Sequence, residues 1–189
     1  MTESIGLGAH EPLHITRVSG DGIELWGVTP SSLVSIALRS DEPSTRLDVE
    51  RGLGSALPDI GIVSDCEIAD GATLLGLQAD QWFLRMPAID DPVLAVRAIV
   101  GSTVALTDQS DAWVSLAIDG PRATFALERV CRLDLHIDAF PAGRVARTAM
   151  EHLAVIVVRE SENRFLLSSP RSSATSFAHA METSVRYVS

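Results

Sequence analysis

Lysine is missing from this 189-residue chain, so all 15 basic residues are arginines. Schiff-base chemistry and general-base catalysis by a lysine are therefore excluded. The two cysteines, Cys66 and Cys131, form no CxxC pair and no disulfide framework. Two scattered thiols are typical of a reducing compartment, so we expect a cytoplasmic protein. Cys131 falls on the apolar stripe of a predicted helix and is expected to be a small buried apolar residue.

Long apolar runs and a basic leader are also missing. No apolar run approaches the roughly 18 residues that a membrane span needs. Residues 1–13 have no basic segment followed by an apolar core, so we expect no signal peptide. The formal charge of −10 is spread along the chain, which disfavours nucleic acid and membrane as partners. Apolar residues make up 46% of the chain, which predicts that a partner protein covers some of its surface.

Periodic patterns predict two similar halves. After residues 1–13, which we expect to form a flexible N-terminal arm, the halves 14–101 and 102–189 each give strand, strand, helix, three strands and helix. The apolar triplets that begin at Trp82 and Phe165 are each followed by two further residues and a proline, at an offset of 83 residues. Residues 14–189 are therefore predicted to form one α+β domain of duplicated units in antiparallel sheet.

Four motifs in the second half point to a known family. The segments VALTDQSD, DGPRA, CRLDL and FPAGRVART follow one another between Val104 and Thr148. In this order and spacing they resemble the gamma subunits of heterotetrameric sarcosine oxidases, within the folate-binding-fold group that includes the glycine-cleavage aminomethyltransferase. The likeness runs from near Leu74 to the C-terminus. It departs from the family at Asp111-Ala112, where a His-Gly-like pair is usual.

The resemblance implies one folate-binding-domain-like fold that is built from the two duplicated units. It also implies a role without catalytic residues. It implies a gamma subunit that braces the alpha, beta and delta subunits of an oxidoreductase complex. The complex oxidatively demethylates sarcosine to glycine, or acts on a related N-methyl amino acid. FAD, FMN, NAD, tetrahydrofolate and zinc are then expected in the partner subunits and none in this chain. The alternative is a stand-alone folate-binding or aminomethyltransferase-like protein, which needs a pterin pocket.

No catalytic, cofactor-binding or metal-binding residue is predicted from the sequence. Asp134, His136 and Asp138 would share one face of an extended strand and could hold a metal ion, but a solvated edge is the simpler interpretation. Gly52 and Gly54 lack the third glycine of a dinucleotide-binding fingerprint. They lie in a predicted helix that Pro58 closes, and we interpret them as its frayed end.

Three residues are candidates for contact with a partner protein: Trp26, Arg122 and Arg129. Trp26 follows a turn in the weakly patterned N-terminal region, and tryptophan and arginine concentrate interface energy. Arg122 and Arg129 would share one face of a helix, opposite its apolar stripe. They could receive a carboxylate or phosphate group or an acidic partner surface, although a solvated face would also explain them.

Overall fold

The computed structural model describes residues 17–40 and 42–188; the arm predicted for residues 1–13 lies outside this part of the chain. The described strands are β1 (Val18–Gly20), β2 (Ile23–Gly27), β3 (Ser32–Leu38), β4 (Val63–Asp65), β5 (Thr73–Gln78), β6 (Gln81–Met86), β7 (Val104–Asp108), β8 (Trp113–Asp119), β9 (Val145–Met150), β10 (Leu153–Arg159) and β11 (Arg164–Pro170). The helices are α1 (Pro43–Leu53), α2 (Pro92–Val100), α3 (Ala123–Glu128) and α4 (Ala174–Val188), and a 3₁₀ turn (Arg171–Ser173) precedes α4.

The strands form two antiparallel sheets. The six-stranded sheet has the order β1-β2-β8-β11-β10-β9, and the five-stranded sheet has the order β4-β5-β6-β3-β7. The edge strands β4 and β9 lie next to each other. The N–H of Val63 donates to the carbonyl of Gly143 (2.8 Å), and the N–H of Val145 donates to the carbonyl of Gly61 (3.0 Å). These bonds fasten the two sheets together at one edge.

Both faces of each sheet are covered, which gives the domain four layers. The outer face of the six-stranded sheet packs on α3 and α4, where Leu116 and Ile118 share a cluster with Phe177 and Met181. The outer face of the five-stranded sheet packs on α1 and α2 in the same way. The two inner faces pack on each other through a smaller cluster of buried residues: Leu75, Phe83, Val145, Ile156, Val158 and Leu166.

The strand order of one sheet repeats in the other. The order β2-β8-β11-β10-β9 corresponds to β7-β3-β6-β5-β4. Ile36 is opposite Trp82 in one sheet, and Ile118 is opposite Phe165 in the other. Strands β2 and β7 are exchanged, because each pairs with a strand of the other half. The predicted fold class, an α+β fold of duplicated units in antiparallel sheet, is confirmed. The limits 14–101 and 102–189 remain a prediction.

Two helices end earlier than the sequence predicts. Helix α1 ends before Pro58, because Gly54 takes a left-handed φ of 65° and its N–H turns back to the carbonyl of Arg51 (3.4 Å). Helix α3 ends at Glu128, so Cys131 lies beyond it and forms an isolated bridge with Met150 instead of extending the helical stripe. Cys131 is nevertheless buried, as predicted.

Gly52 lies inside α1 where this helix meets α2. A β-carbon at this position would lie 2.6 Å from the carbonyl oxygen of Ile99, in α2. No ordinary contact is that short, so the two helices reach this separation because residue 52 has no side chain. Gly52 is therefore a packing residue, where the sequence predicted a frayed helix end.

Replacing Gly52 by alanine is expected to lower the free energy of unfolding by about 1 to 3 kcal/mol, because the added methyl group must push the helices apart. Helix propensity alone predicts the opposite sign, a gain of up to about 1 kcal/mol. Urea unfolding followed by circular dichroism measures the difference. Gly27→Ala is the matched control, since nothing lies within 4 Å of a β-carbon there. A Gly52→Ala variant as stable as Gly27→Ala would contradict the packing role.

Candidate functional site

A cavity of about 520 Å³ lies between the two sheets. It is found where residues 27–31 and the β7–β8 loop pass from one sheet to the other. The size falls within the range of small-molecule pockets. We call it the inter-sheet cavity. Its apolar walls come from both inner faces and from the first of these loops: Trp26, Val28, Leu33, Leu75, Phe83, Trp113, Ile156, Val158 and Leu166.

Strand alternation positions the wall residues. The sequence pattern of β8 predicts that Trp113, Ser115 and Ala117 face one way and Val114, Leu116 and Ile118 the other. The structure confirms this, because Leu116 and Ile118 lie in the outer core, whereas Trp113 and Ser115 line the cavity. The hydroxyl of Ser115 lies 2.8 Å from that of Ser168 on the neighbouring strand β11, and either oxygen can be the donor.

Aromatic rings and an arginine meet beside the cavity. The rings of Phe83 and Trp113 pack edge to face, with centroids 6.1 Å apart. The guanidinium of Arg147 lies 5.3 Å from the centroid of Phe83 and 6.0 Å from that of Trp113. Loss of hydration lowers the pKa of Arg147. The buried indole Nε1 of Trp113 has no hydrogen-bond partner within the described part of the chain.

Three arginines and one carboxylate also line the cavity. Arg171 Nη1 lies 3.0 Å from Asp111 Oδ1, and Arg17 pairs with Glu24. Arg85 contacts Glu160 Oε1 at 3.3 Å through both terminal nitrogens, and its Nε lies 3.3 Å from Thr73 Oγ1. Each of these three arginines has a carboxylate partner, so the excess positive charge beside the cavity comes from a fourth guanidinium, that of Arg147.

The structure places Trp26, one of the three predicted contact residues, in the wall of this cavity. Its half-buried ring lies between two guanidinium groups, those of Arg17 (5.4 Å to the ring centroid) and Arg164 (5.3 Å). Sequence reasoning identified Trp26 by its residue type and missed other residues of the cavity wall. Trp113, Phe83 and Arg85 line the same cavity only through pairing between distant strands.

Arg122 and Arg129 lie on the other side of the six-stranded sheet. The prediction that they share a helix face is wrong, because α3 is only six residues long and the two arginines are its N-cap and C-cap residues. Arg129 stacks on Tyr187 of α4, 4.7 Å from the ring centroid. Phe125, one turn before Arg129, is 61% exposed, and Tyr187 is 70% exposed. We call Phe125, Arg129 and Tyr187 the α3–α4 patch.

The predicted metal candidates do not meet as a strand would place them. Residues 134–138 form no strand: 134–136 are irregular and a turn begins at Ile137. The N–H of His136 donates to Asp134 Oδ1 (2.9 Å) and the N–H of Asp138 to His136 Nδ1 (3.4 Å). Within residues 17–40 and 42–188, no group of three or more His, Cys, Asp or Glu side chains could hold a metal ion. Asp134, His136 and Asp138 are exposed, as the simpler interpretation of a solvated edge requires, but they do not lie on a strand. Leu135 is buried, and Ile137 is 39% exposed.

Both cysteine side chains are removed from solvent. Both are buried and unpaired with each other, and loss of hydration raises the pKa of the Cys131 thiol. The helices described here include none that is long and apolar enough to cross a membrane.

Comparison with known proteins links this chain to solved structures only. No protein-family model matches it, and no curated protein matches it in sequence. A chain of heterotetrameric sarcosine oxidase from Corynebacterium sp. U-96 aligns over 90% of this chain and 88% of its own length, with a TM-score of 0.80 and 20% identity. The two chains share one fold. The fold expected from the sequence resemblance is thus confirmed.

A second solved structure shares the fold over a smaller part of its length. Aminomethyltransferase T of the glycine cleavage system from Bartonella henselae has a TM-score of 0.61 and 16% identity. The alignment covers 85% of this chain and 45% of that chain. This chain therefore spans less than half of the aminomethyltransferase.

Proposed function

We propose that this chain is a non-catalytic, gamma-type subunit of a multi-subunit sarcosine oxidase or of a related N-methyl amino acid oxidoreductase. The observation that carries the proposal is the alignment with a chain of a heterotetrameric sarcosine oxidase over 90% of one chain and 88% of the other. The same family was indicated independently by the four motifs between Val104 and Thr148. In this role the chain braces the flavoprotein subunits, and the alpha, beta and delta partner subunits together hold FAD, FMN, NAD, tetrahydrofolate and zinc.

The alternative, a stand-alone folate-binding or aminomethyltransferase-like protein, has less support. The aminomethyltransferase matches this fold, but 55% of its chain lies outside the alignment, as the complement of the 45% that is covered. An enzyme of that kind would have to work here without the remaining part. A subunit that relies on partner chains for its chemistry fits the length of this chain better.

The α3–α4 patch is the surface that we propose for docking on the flavoprotein subunits. Phe125 (61% exposed) and Tyr187 (70% exposed) are the aromatic residues among the exposed large apolar side chains of the described residues, and the guanidinium of Arg129 stacks on Tyr187. Aromatic and arginine side chains concentrate binding energy at interfaces. Arg122, at the other end of α3, lies at the margin of this surface.

The proposal is tested by coexpression with the flavoprotein subunits of the same organism, followed by size-exclusion chromatography and an oxidase assay. We expect the wild-type chain to elute with the large subunits. A Phe125→Ser, Tyr187→Ser double variant should weaken assembly by about 30-fold or more, since loss of an aromatic anchor costs about 2 kcal/mol. Its circular dichroism should stay unchanged because both side chains are exposed.

The matched control replaces two exposed leucines of the opposite helix layer, Leu47 (56% exposed) and Leu94 (65% exposed), by serine. This variant should assemble like the wild type. If it loses assembly and the α3–α4 variant does not, the docking face is wrong. If the wild-type chain elutes as a monomer beside the flavoprotein subunits, and their oxidase activity is the same without it, the subunit proposal itself is wrong.

A further inference from the structure

The inter-sheet cavity has the features of a ligand site that the subunit role does not require. Its walls are contributed by strands of both sheets, so it belongs to the packed core of the fold rather than to one surface loop. Two indole rings and the ring of Phe83 line a volume of about 520 Å³. Pockets of this size with aromatic walls bury most of the surface of a small molecule.

The charge of the lining selects the kind of ligand. Arg17, Arg85 and Arg171 line the cavity, each with a carboxylate partner, and the guanidinium of Arg147 adds a fourth positive charge beside the rings of Phe83 and Trp113. These four guanidinium groups outnumber the three carboxylates, and the excess positive charge attracts small anions against the repulsion of the rest of the surface. The same positive charge would repel a cationic ligand.

Arg85 is the arginine best placed to bind an anion. It projects from β6 two residues after Phe83, so both side chains reach the inner face of the sheet. Its contacts with Glu160 and Thr73 are all 3.3 Å long. Charge-assisted hydrogen bonds are usually about 2.7–2.9 Å, and a guanidinium has five donors, so Arg85 can bind a second carboxylate.

Hydroxyl groups add a second polar contact on the other sheet. Ser115 and Ser168 share one hydrogen bond across 2.8 Å, and either can donate it. One hydroxyl hydrogen of the pair is therefore available to a ligand acceptor. The cavity thus combines flat apolar walls, a guanidinium on the five-stranded sheet and hydroxyls on the six-stranded sheet.

We propose that the inter-sheet cavity binds a small carboxylate with a flat apolar body of about one ring, its ring against Phe83, Trp113 and Trp26 and its carboxylate on Arg85. This site is independent of the proposed function, because docking is assigned to the α3–α4 patch on the opposite side of the six-stranded sheet.

Fluorine NMR titration of the purified full chain tests the proposal with two matched probes, para-fluorophenylacetate and the neutral para-fluorophenylacetamide. They share the ring and differ in charge. We expect saturable binding of the acetate, at least about tenfold tighter than that of the amide, because hydrogen bonds to charged groups contribute about 1.5–3 kcal/mol. Phe83→Leu should weaken both probes alike.

Arg85→Gln should remove most of the preference for the acetate and leave amide binding unchanged. Arg51→Gln is the control, since this exposed arginine lies on α1, beyond the five-stranded sheet, and should change neither affinity. Circular dichroism verifies that each variant is folded. If Arg85→Gln is unstable, the comparison of the two probes on the wild-type chain tests whether the cavity prefers a carboxylate. Failure of the acetate to saturate at millimolar concentrations, or equal affinities for both probes, would overturn the proposal. Loss of assembly in the docking variants has no bearing on it.

Discussion

Replacing Arg159 by methionine is expected to lower the free energy of unfolding by about 3 to 5 kcal/mol. Arg159, at the end of β10, is 3% exposed. Its Nη1 donates to the carbonyls of Leu135 (2.9 Å) and Phe140 (2.8 Å), and its Nε donates to the carbonyl of Glu162 (3.2 Å). Methionine preserves the apolar length but removes the donor to the buried carbonyls of Leu135 and Phe140. Urea unfolding followed by circular dichroism measures the loss.

Burial and a neighbouring carboxylate act on Arg159 in opposite directions. Loss of hydration lowers its pKa, and the nearby carboxylate of Glu162 raises it. The guanidinium also lies 4.8 Å from the ring centroid of Phe165. Arg159 thus fixes residues 135–140, which connect α3 to β9, against the end of the sheet.

Arg164 on the neighbouring strand β11 offers the matched control. Its ion pair with Glu160 is 3.0 Å long, but the side chain is 44% exposed. Surface pairs of this kind contribute less than about 1 kcal/mol, so Arg164→Met should leave the unfolding midpoint nearly unchanged. Equal losses in the two variants would show that the carbonyl contacts of Arg159 do not stabilise the fold.

Replacing Trp82 by alanine is expected to cost about 3 to 5 kcal/mol as well, because a large ring leaves a cavity that the core only partly refills. Trp82 is 1% exposed, and its Nε1 donates to the carbonyl of Pro58 (2.8 Å). The guanidinium of Arg46 covers the ring at 5.3 Å from its centroid and bonds the carbonyl of Leu57. The same urea titration measures the effect.

Two further variants separate the contributions at Trp82. Trp82→Phe keeps most of the ring and removes the bond to Pro58, so we expect a loss of about 1 to 3 kcal/mol. Trp26→Ala, at a half-buried position in the cavity wall, should cost less than Trp82→Ala. If Trp26→Ala proved the more damaging change, the cavity wall rather than the outer core would be the stability centre of this chain.

Trp82 and Phe165 occupy equivalent places in the two sheets, and the structure shows how each half fixes the loop beside them. In the first half Trp82 itself donates to Pro58, and Arg46 from α1 stacks on it. The side chain of phenylalanine has no N–H group. In the second half Arg159 therefore both stacks on Phe165 and donates to the loop carbonyl of Leu135. The duplication therefore preserves the interaction while changing the residues that make it.

The sequence by itself determined the features that depend on neighbours along the chain. Period-two alternation gave the inner and outer faces of β8, because successive side chains of a strand point to opposite sides. The continuous apolar run at residues 153–158 is typical of a strand covered on both faces, and its successive residues Val155 and Ile156 are both buried. The matching triplets at Trp82 and Phe165 revealed the duplication, since two copies of one unit keep the same order of local patterns.

Tertiary structure alone decided which distant elements meet. The exchange of β2 and β7 between the sheets is set by strand pairing, which periodicity does not encode. This pairing places Trp26 in the wall of the same cavity as Trp113 and Phe83. Gly52 is a packing residue because the carbonyl of Ile99, on another helix, lies against it. Arg122 and Arg129 lie at the two ends of α3 and not on one of its faces, because this helix has only six residues. Just beyond it, Cys131 forms a bridge with Met150. In each case the deciding contact joins residues that no local pattern connects.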